Sequence, residues 1–177
     1  MADQLSAQNW LNQGLKTLAR SGFTALKAEP LAKAMGVSRG SFYWHFADIG
    51  AFHAAILKHW REISVEAIIR DVEATSPEQD ALPALLRRVF GARPVLESAV
   101  RNWASFDPLA HAAVQTIDRR RLDYVASLLE RAGLARDIAR ARAQILYWAF
   151  LGFALDKPLP QAKQAAMLEE LLRMARR

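Results

Sequence analysis

The sequence has no cysteine, so disulfide bonds, thiolate metal sites and thiol redox chemistry are excluded. Helix breakers are sparse: 8 glycines and 7 prolines in 177 residues, with no low-complexity tract and no internal repeat. Long apolar runs are also missing. The longest, Ile145 to Leu155, is about half of the ~20 residues that a membrane-spanning helix needs. The opening segment MADQLSAQNW lacks the charged-then-apolar order of an export signal. No alternation of apolar and polar residues with hairpin turns occurs, so strands are not expected. These absences predict a soluble, cytoplasmic, all-α protein.

What the chain does have is positive charge and helical periodicity. The formal net charge is +6 with a pI near 10.1, which favours a polyanionic partner. Residues 1–60 carry six Lys/Arg against three Asp/Glu, and the rest carry eighteen against fifteen, so the first third is the more basic per residue. Apolar residues recur at helical spacing almost throughout. A first helix is expected from about Ser6 to Ser21, with Trp10, Leu11, Leu15 and Leu18 on one face and Gly22 as its stop. A short second helix covers about Ala28 to Met35, with Pro30 in its first turn. Gly36 ends it, Ser38 is an N-cap candidate, and a third helix runs to about Phe46. Asp48 caps a long fourth helix to about Ala74. Further helices are expected near 77–90, 94–104, from Asp107-Pro108 to about Ala132, and at roughly 136–155 and 161–175. The total is about nine.

Two short helices joined by a tight glycine-containing turn are a helix-turn-helix pattern, whose second helix enters the DNA major groove. In LAKAMGVSRGSFYWHF, Leu31 to Phe46, the residues Leu31, Ala32 and Met35 face inward and Val37 fills the turn. Phe42 and Phe46, four apart, form the inner face of the third helix. Gly40, Tyr43 and Trp44 then turn outward, with Ser41 and His45 on a flank and Arg39 able to reach past the edge. Arg39 can pair with guanine or phosphate, and Ser41 with a base edge or phosphate. Tyr43 and Trp44 offer apolar faces to thymine methyls, His45 a donor to phosphate, and Gly40 a close approach to the groove. The bland alternative is a solvated helix whose rings pack on a neighbour.

The span Trp10 to Ile56 resembles the DNA-binding domain of the TetR family of bacterial transcriptional regulators. The resemblance rests on Gly22-Phe23 after the first helix and on the ungapped run Leu31 to Phe46, similar to the family pattern I-A-x-x-A-G-V-S-x-G-x-L-Y-x-H-F. It implies that Lys27, Ser38, Arg39, Gly40, Ser41, Tyr43, Trp44 and His45 lie on the DNA side. Three positions depart from the family. Leu26-Lys27 stand where a capping Thr or Ser is usual, so Lys27 would supply a charged phosphate contact instead. Asp48-Ile49-Gly50 lack the usual lysine, and Glu29 is unfavourable near DNA. The resemblance divides the chain into a DNA-binding domain, residues 1–47 with 48–56 packed on it, and a helical effector-binding and dimerisation domain, residues 48–177.

In that second part the segment ESAVRNWASFDP and the following DRRR resemble one common subgroup of the family, without naming a ligand. The helix AQILYWAFLGFAL, Ala143 to Leu155, is apolar all round, as expected of a helix covered on both sides. With the last helix it suggests a dimer interface through Ala149, Gly152, Phe153, Ala165, Leu168 and Leu172, within a C-terminal stripe that also takes in Leu171 and Ala175. The alternative is a hairpin packed only within the chain. Trp103, Phe106, Tyr147, Trp148 and Phe150, with Arg101, His111 and Gln115 as polar groups, are candidates for a pocket holding a small apolar or aromatic effector; each could equally be core. Arg119-Arg120-Arg121 reads as a solvated helix face. His53 and His59, six apart, do not share a face, and Asp107 with His111 lacks further ligands, so no metal site or cofactor is expected. No nucleophile-elbow or phosphate-loop pattern occurs, and the protein is not expected to be an enzyme.

The expectation is a homodimeric repressor released from a palindromic operator by a small molecule. An activator, or a repressor controlled by a protein partner, is the alternative. A helical enzyme or ligand carrier is a remote one.

Overall fold

A computed structural model describes residues 5–77, 80–91 and 94–175, and every regular element in them is helical. The elements are α1 (Ala7–Ser21), α2 (Ala28–Ala34), α3 (Arg39–Tyr43), α4 (Ile49–Arg61), α5 (Ala67–Thr75), α6 (Ala81–Phe90), α7 (Val95–Ala104), α8 (Pro108–Arg131), α9 (Arg136–Leu155) and α10 (Gln161–Ala175). A π-helical turn, Glu62–Glu66, follows α4 and precedes α5. Among the described residues no helix is long and apolar enough to cross a membrane.

The helix ends follow local chemistry. Ser6 caps α1 through a reciprocal pair with Asn9: its hydroxyl accepts from the Asn9 amide, and its own amide donates to Asn9 Oδ1 at 2.8 Å. Gly22 and Gly36 end their helices at φ 76° and 68°, a region that side chains with a Cβ avoid. Asp48 caps α4 by accepting from the Ala51 amide at 2.7 Å. Two expectations need correction. Ser38 occupies the cap position of α3, but its hydroxyl accepts no capping bond. α3 also stops at Tyr43, and only a turn with Phe46 N–H donating to Phe42 C=O at 3.1 Å carries on to Phe46. α6 begins at Ala81; of the expected span, residues 78–79 lie outside the described ones.

The chain forms two compact units. The first takes residues up to Glu62 together with Val95–Val114. Its core is aromatic: Phe42 meets Trp10 edge-on at 5.3 Å, Phe52 at 5.2 Å and Phe46 at 5.3 Å between ring centroids. Gly14 lets α1 lie close on α4, since an added Cβ would stand 2.5 Å from Ile56 Cδ1 and 2.7 Å from Phe52 Cζ. This unit is broader than the DNA-binding segment read from the sequence. α7 joins it because Trp103 is buried there, stacked on Phe23 at 4.7 Å and 24°.

The second unit takes Ile63–Pro94 and everything from Gln115 onward. Val72, Leu82, Leu86, Phe90, Tyr124, Leu128, Leu129, Tyr147, Phe150 and Leu172 build its core. Gln164 ties α10 to the end of α6 by donating to the Phe90 carbonyl at 2.7 Å.

Candidate nucleic-acid interface

The interface is assembled from α2, α3 and the turns on either side. Leu31 and Ala32 of α2 and Phe42 of α3 are buried, which fixes the rotation of both helices about their axes. Everything one-third of a turn away is then presented outward. Tyr43 is 48% exposed and Trp44 86%, while Phe42 and Phe46 are buried. The five-ring run therefore divides into core rings and offered rings. His45 and Ser41 are half-buried, and Lys27, Ser38, Arg39 and Gly40 are exposed.

Arg39 lies over the Tyr43 ring, its guanidinium carbon 5.7 Å from the centroid. This stacking limits the freedom of a long side chain while leaving its donors available to an acceptor. Beside it, Glu29, Ala32, Lys33, Val37 and Arg39 line a shallow groove of about 450 Å³. Lys33 was missed in the sequence; its signal is its place on the outer face of α2, one position past the buried Leu31-Ala32 pair. Glu29 sits in the same groove and opposes an anion there. A Cβ added at Gly50 would stand 3.2 Å from Asp48 Oδ1. Donors and aromatic faces on one short helix and the turn after it can meet both phosphates and base edges. Among the described residues no group of three or more His, Asp or Glu could hold a metal ion.

Residues 11–56 match the family model described as bacterial regulatory proteins, tetR family. They resemble the DNA-binding domain of that family. The match begins within one residue of the stretch on which the sequence resemblance rests. No curated protein matches the chain. Among solved structures it is similar to a transcriptional regulator from Rhodococcus sp. Rha1, at 19% identity, covering 97% of this chain and 96% of that one with a TM-score of 0.77. The reduced form of E. coli NemR gives 21% identity, 96% and 94% coverage and a TM-score of 0.74. FadR from Bacillus subtilis in complex with stearoyl-CoA gives 14%, 97% and 100%, and 0.65. At these identities the likeness shows the fold alone.

The candidate effector residues fall into both units. Arg101, Trp103, Phe106 and His111 belong to the first. There Trp103 is core, Arg101 donates from Nε to the buried Glu97 at 2.8 Å, and Phe106 is exposed with its edge toward Phe23. Gln115, Tyr147, Trp148 and Phe150 belong to the second. Tyr147 donates a hydrogen bond to Asp118, Phe150 lies under Arg121, and Trp148 is 63% exposed. Arg120 reaches Glu66 at 3.5 Å, so two of the three consecutive arginines are engaged rather than purely solvated.

The candidate dimer residues also separate. Gly152 and Ala165 are exposed, Ala149, Phe153 and Leu168 are half-buried, and Leu172 is buried in the core of its own unit. Ala175 has no described side chain. α9 is covered on one side only, by burial of Ala143, Tyr147, Phe150 and Ala154. Its other side exposes Ile138, Ala141, Ile145, Trp148, Gly152 and Leu155 at alternating three- and four-residue spacing. Ile138, Ile145 and Leu155 were not singled out in the sequence, because an all-apolar helix does not reveal which side its own chain covers.

A second polar feature ties α5 to α8. Glu73 accepts two hydrogen bonds from Arg131, at 2.7 and 3.1 Å, and one from Tyr124 at 2.8 Å. The Arg131 and Tyr124 hydrogen bonds hold the Glu73 carboxyl below the usual carboxylate range. Burial, followed by the Glu73 carboxylate, pushes the Tyr124 phenol well above its ordinary value.

Proposed function

We propose that this chain is a homodimeric repressor that binds a palindromic operator in the cytoplasm and is released by a small apolar or aromatic effector. The observation that carries the reading is the set Arg39, Ser41, Tyr43, Trp44 and His45 on α3 and the turn after it, held by Phe42, within residues that match the TetR-family model. Residues 1–56 would bind DNA and the remaining helices would bind effector and partner. One recognition helix reads few base pairs, so a two-fold pair spaced by one turn of DNA, about 34 Å, supplies the rest of the specificity. The exposed stripe on α9 supports the two-fold partner. The complex of Bacillus subtilis FadR with stearoyl-CoA supports an organic effector, since that protein shares this fold. An effector that prefers the non-binding arrangement by a few kcal/mol would suffice for release.

Selection from random duplexes followed by gel-shift titration tests this. A palindromic site should emerge, and Arg39→Ala or Tyr43→Ala should weaken it by about 1–3 kcal/mol, the scale of a base contact. Tight operator binding indifferent to both substitutions would overturn the assignment of the face. No preference over bulk DNA across a range of salt would overturn the repressor reading itself.

A further inference from the structure

We propose that His53, on α4, is a positioning residue for DNA binding: it holds the Leu26 carbonyl and thereby sets Lys27 against a backbone phosphate. The inference rests on the DNA-binding reading of Lys27 and concerns a residue outside the recognition face.

The chain passes from α1 to α2 through a narrow turn. Phe23–Ala25 form one 3₁₀ turn, and Leu26 follows at φ −77°, ψ 68°. Those angles, with Lys27 N–H donating to Ala25 C=O at 2.9 Å, make an inverse γ-turn centred on Leu26. The α2 ladder begins only with Leu31 N–H donating to Lys27 C=O at 3.2 Å. The Leu26 carbonyl therefore lies outside both helices, while the Leu26 side chain is buried. His53 Nε2 lies 2.9 Å from that carbonyl oxygen. A carbonyl only accepts, so Nε2 carries the proton and donates.

The imidazole is held for this task. Its ring packs on Phe23 at 4.9 Å and edge-on to Trp103 at 5.6 Å. Phe23 belongs to the turn itself, and Trp103 to α7, where the two rings stack. The histidine is thus gripped by the turn it fixes and by a buried tryptophan. Lys27, exposed and directly after Leu26, emerges from a main chain whose direction is set before DNA arrives. Less ordering is then left to be done on binding. Without the donor, a partly buried carbonyl loses its partner and the short γ-turn bond alone sets the exit of Lys27.

The test uses the full chain and a selected operator, comparing His53→Gln, His53→Leu, Lys27→Ala and the double variant His53→Leu/Lys27→Ala. Glutamine places an amide N–H near the Nε2 position; leucine has no donor. The leucine variant should bind roughly fivefold more weakly and lose about one from the slope of log affinity against log salt, as when one phosphate contact goes. His53→Gln should restore most of the affinity and the slope. In the double variant the leucine change should cost nothing beyond Lys27→Ala. An unchanged salt slope, full additivity, or a glutamine variant as weak as leucine overturns the proposal. If the leucine variant does not fold, His53→Asn replaces it, since its amide is one bond too short to reach. The asparagine variant should then lose what glutamine keeps, and equal binding by the two overturns the proposal. If Lys27→Ala alone leaves affinity and slope unchanged, the Lys27 contact is wrong and this inference falls with it. If the wild-type chain prefers no duplex, the parent reading fails first.

Discussion

Two faces of this protein expose large apolar side chains, and they differ in what surrounds those side chains. Around α3, Tyr43 and Trp44 stand among Arg39, Ser41 and the half-buried His45. Along α9, Ile138, Ile145, Trp148 and Leu155 stand among Ala141 and Gly152, with the exposed Arg142 beside them. A mixture of rings and donors suits a surface that alternates phosphate oxygens with base edges and methyls. An apolar stripe suits a surface that removes it from water altogether, and small residues within it allow close approach. On the proposed function, the first face would meet a polyanion and the second a copy of the chain.

The comparison is broken most severely by placing the same charge in both. Trp148→Asp puts an unpaired carboxylate in the proposed dimer interface, and such burial costs several kcal/mol, so the dimer constant should weaken on the order of 100-fold. Sedimentation at micromolar concentration would show monomer. Trp44→Asp should leave the dimer intact and lower operator affinity by roughly tenfold or more, through like-charge repulsion and lost contact. A variant pair with the opposite pattern, Trp44→Asp monomeric and Trp148→Asp still dimeric, would exchange the two faces.

Two glycines sharpen the contrast with smaller effects of opposite sign. Alanine at Gly152 meets nothing within 4 Å and gains helix propensity, worth up to about 1 kcal/mol of monomer stability. Alanine at Gly14 gains the same propensity but drives its Cβ into Ile56 and Phe52, both fully buried. Overpacking of a filled core should leave a net loss of about 1–2 kcal/mol there. Denaturant titration of the two variants reads both signs.

Much of the first unit was legible because its signals are local. Gly22, Gly36 and Asp48 end or start helices through their own backbone and side-chain chemistry, and the four-residue spacing of Phe42 and Phe46 fixes which side is core. Ser38 shows the limit: a residue type suited to capping stands at the cap position without making the bond. Trp103 shows another. A tryptophan near a helix end reads equally as pocket or core, and only its stack on Phe23, eighty positions earlier in the chain, decides for core. His53 was dismissed as half of an unlikely metal pair, because its partner is a main-chain carbonyl that no side-chain pattern announces. In α9 the uniform apolarity hid the division into buried and exposed sides, which depends on how the rest of the bundle folds against it.

The smallest effect belongs to the second unit's tie between α5 and α8. Glu73→Gln removes the carboxylate that accepts from Arg131 and Tyr124. The folded state holds this carboxyl below its ordinary value of 4.5, so the tie stabilises fully above about pH 4.5 and is lost as pH falls through the depressed folded value. The Glu73 and Arg131 side chains are 40% and 35% exposed, so water screens the pair and holds its worth to about 0.2–1 kcal/mol. Tyr124 acts on the alkaline side instead: its raised folded value lets the unfolded chain release the phenol proton first, so stability falls as pH rises above about 10. Wild type should therefore exceed the glutamine variant in urea stability at pH 7 and converge with it as pH falls through the depressed folded value. A gap that widens on acidification would reverse the sign and show that the protonated carboxyl, not the carboxylate, is the form that Arg131 and Tyr124 favour.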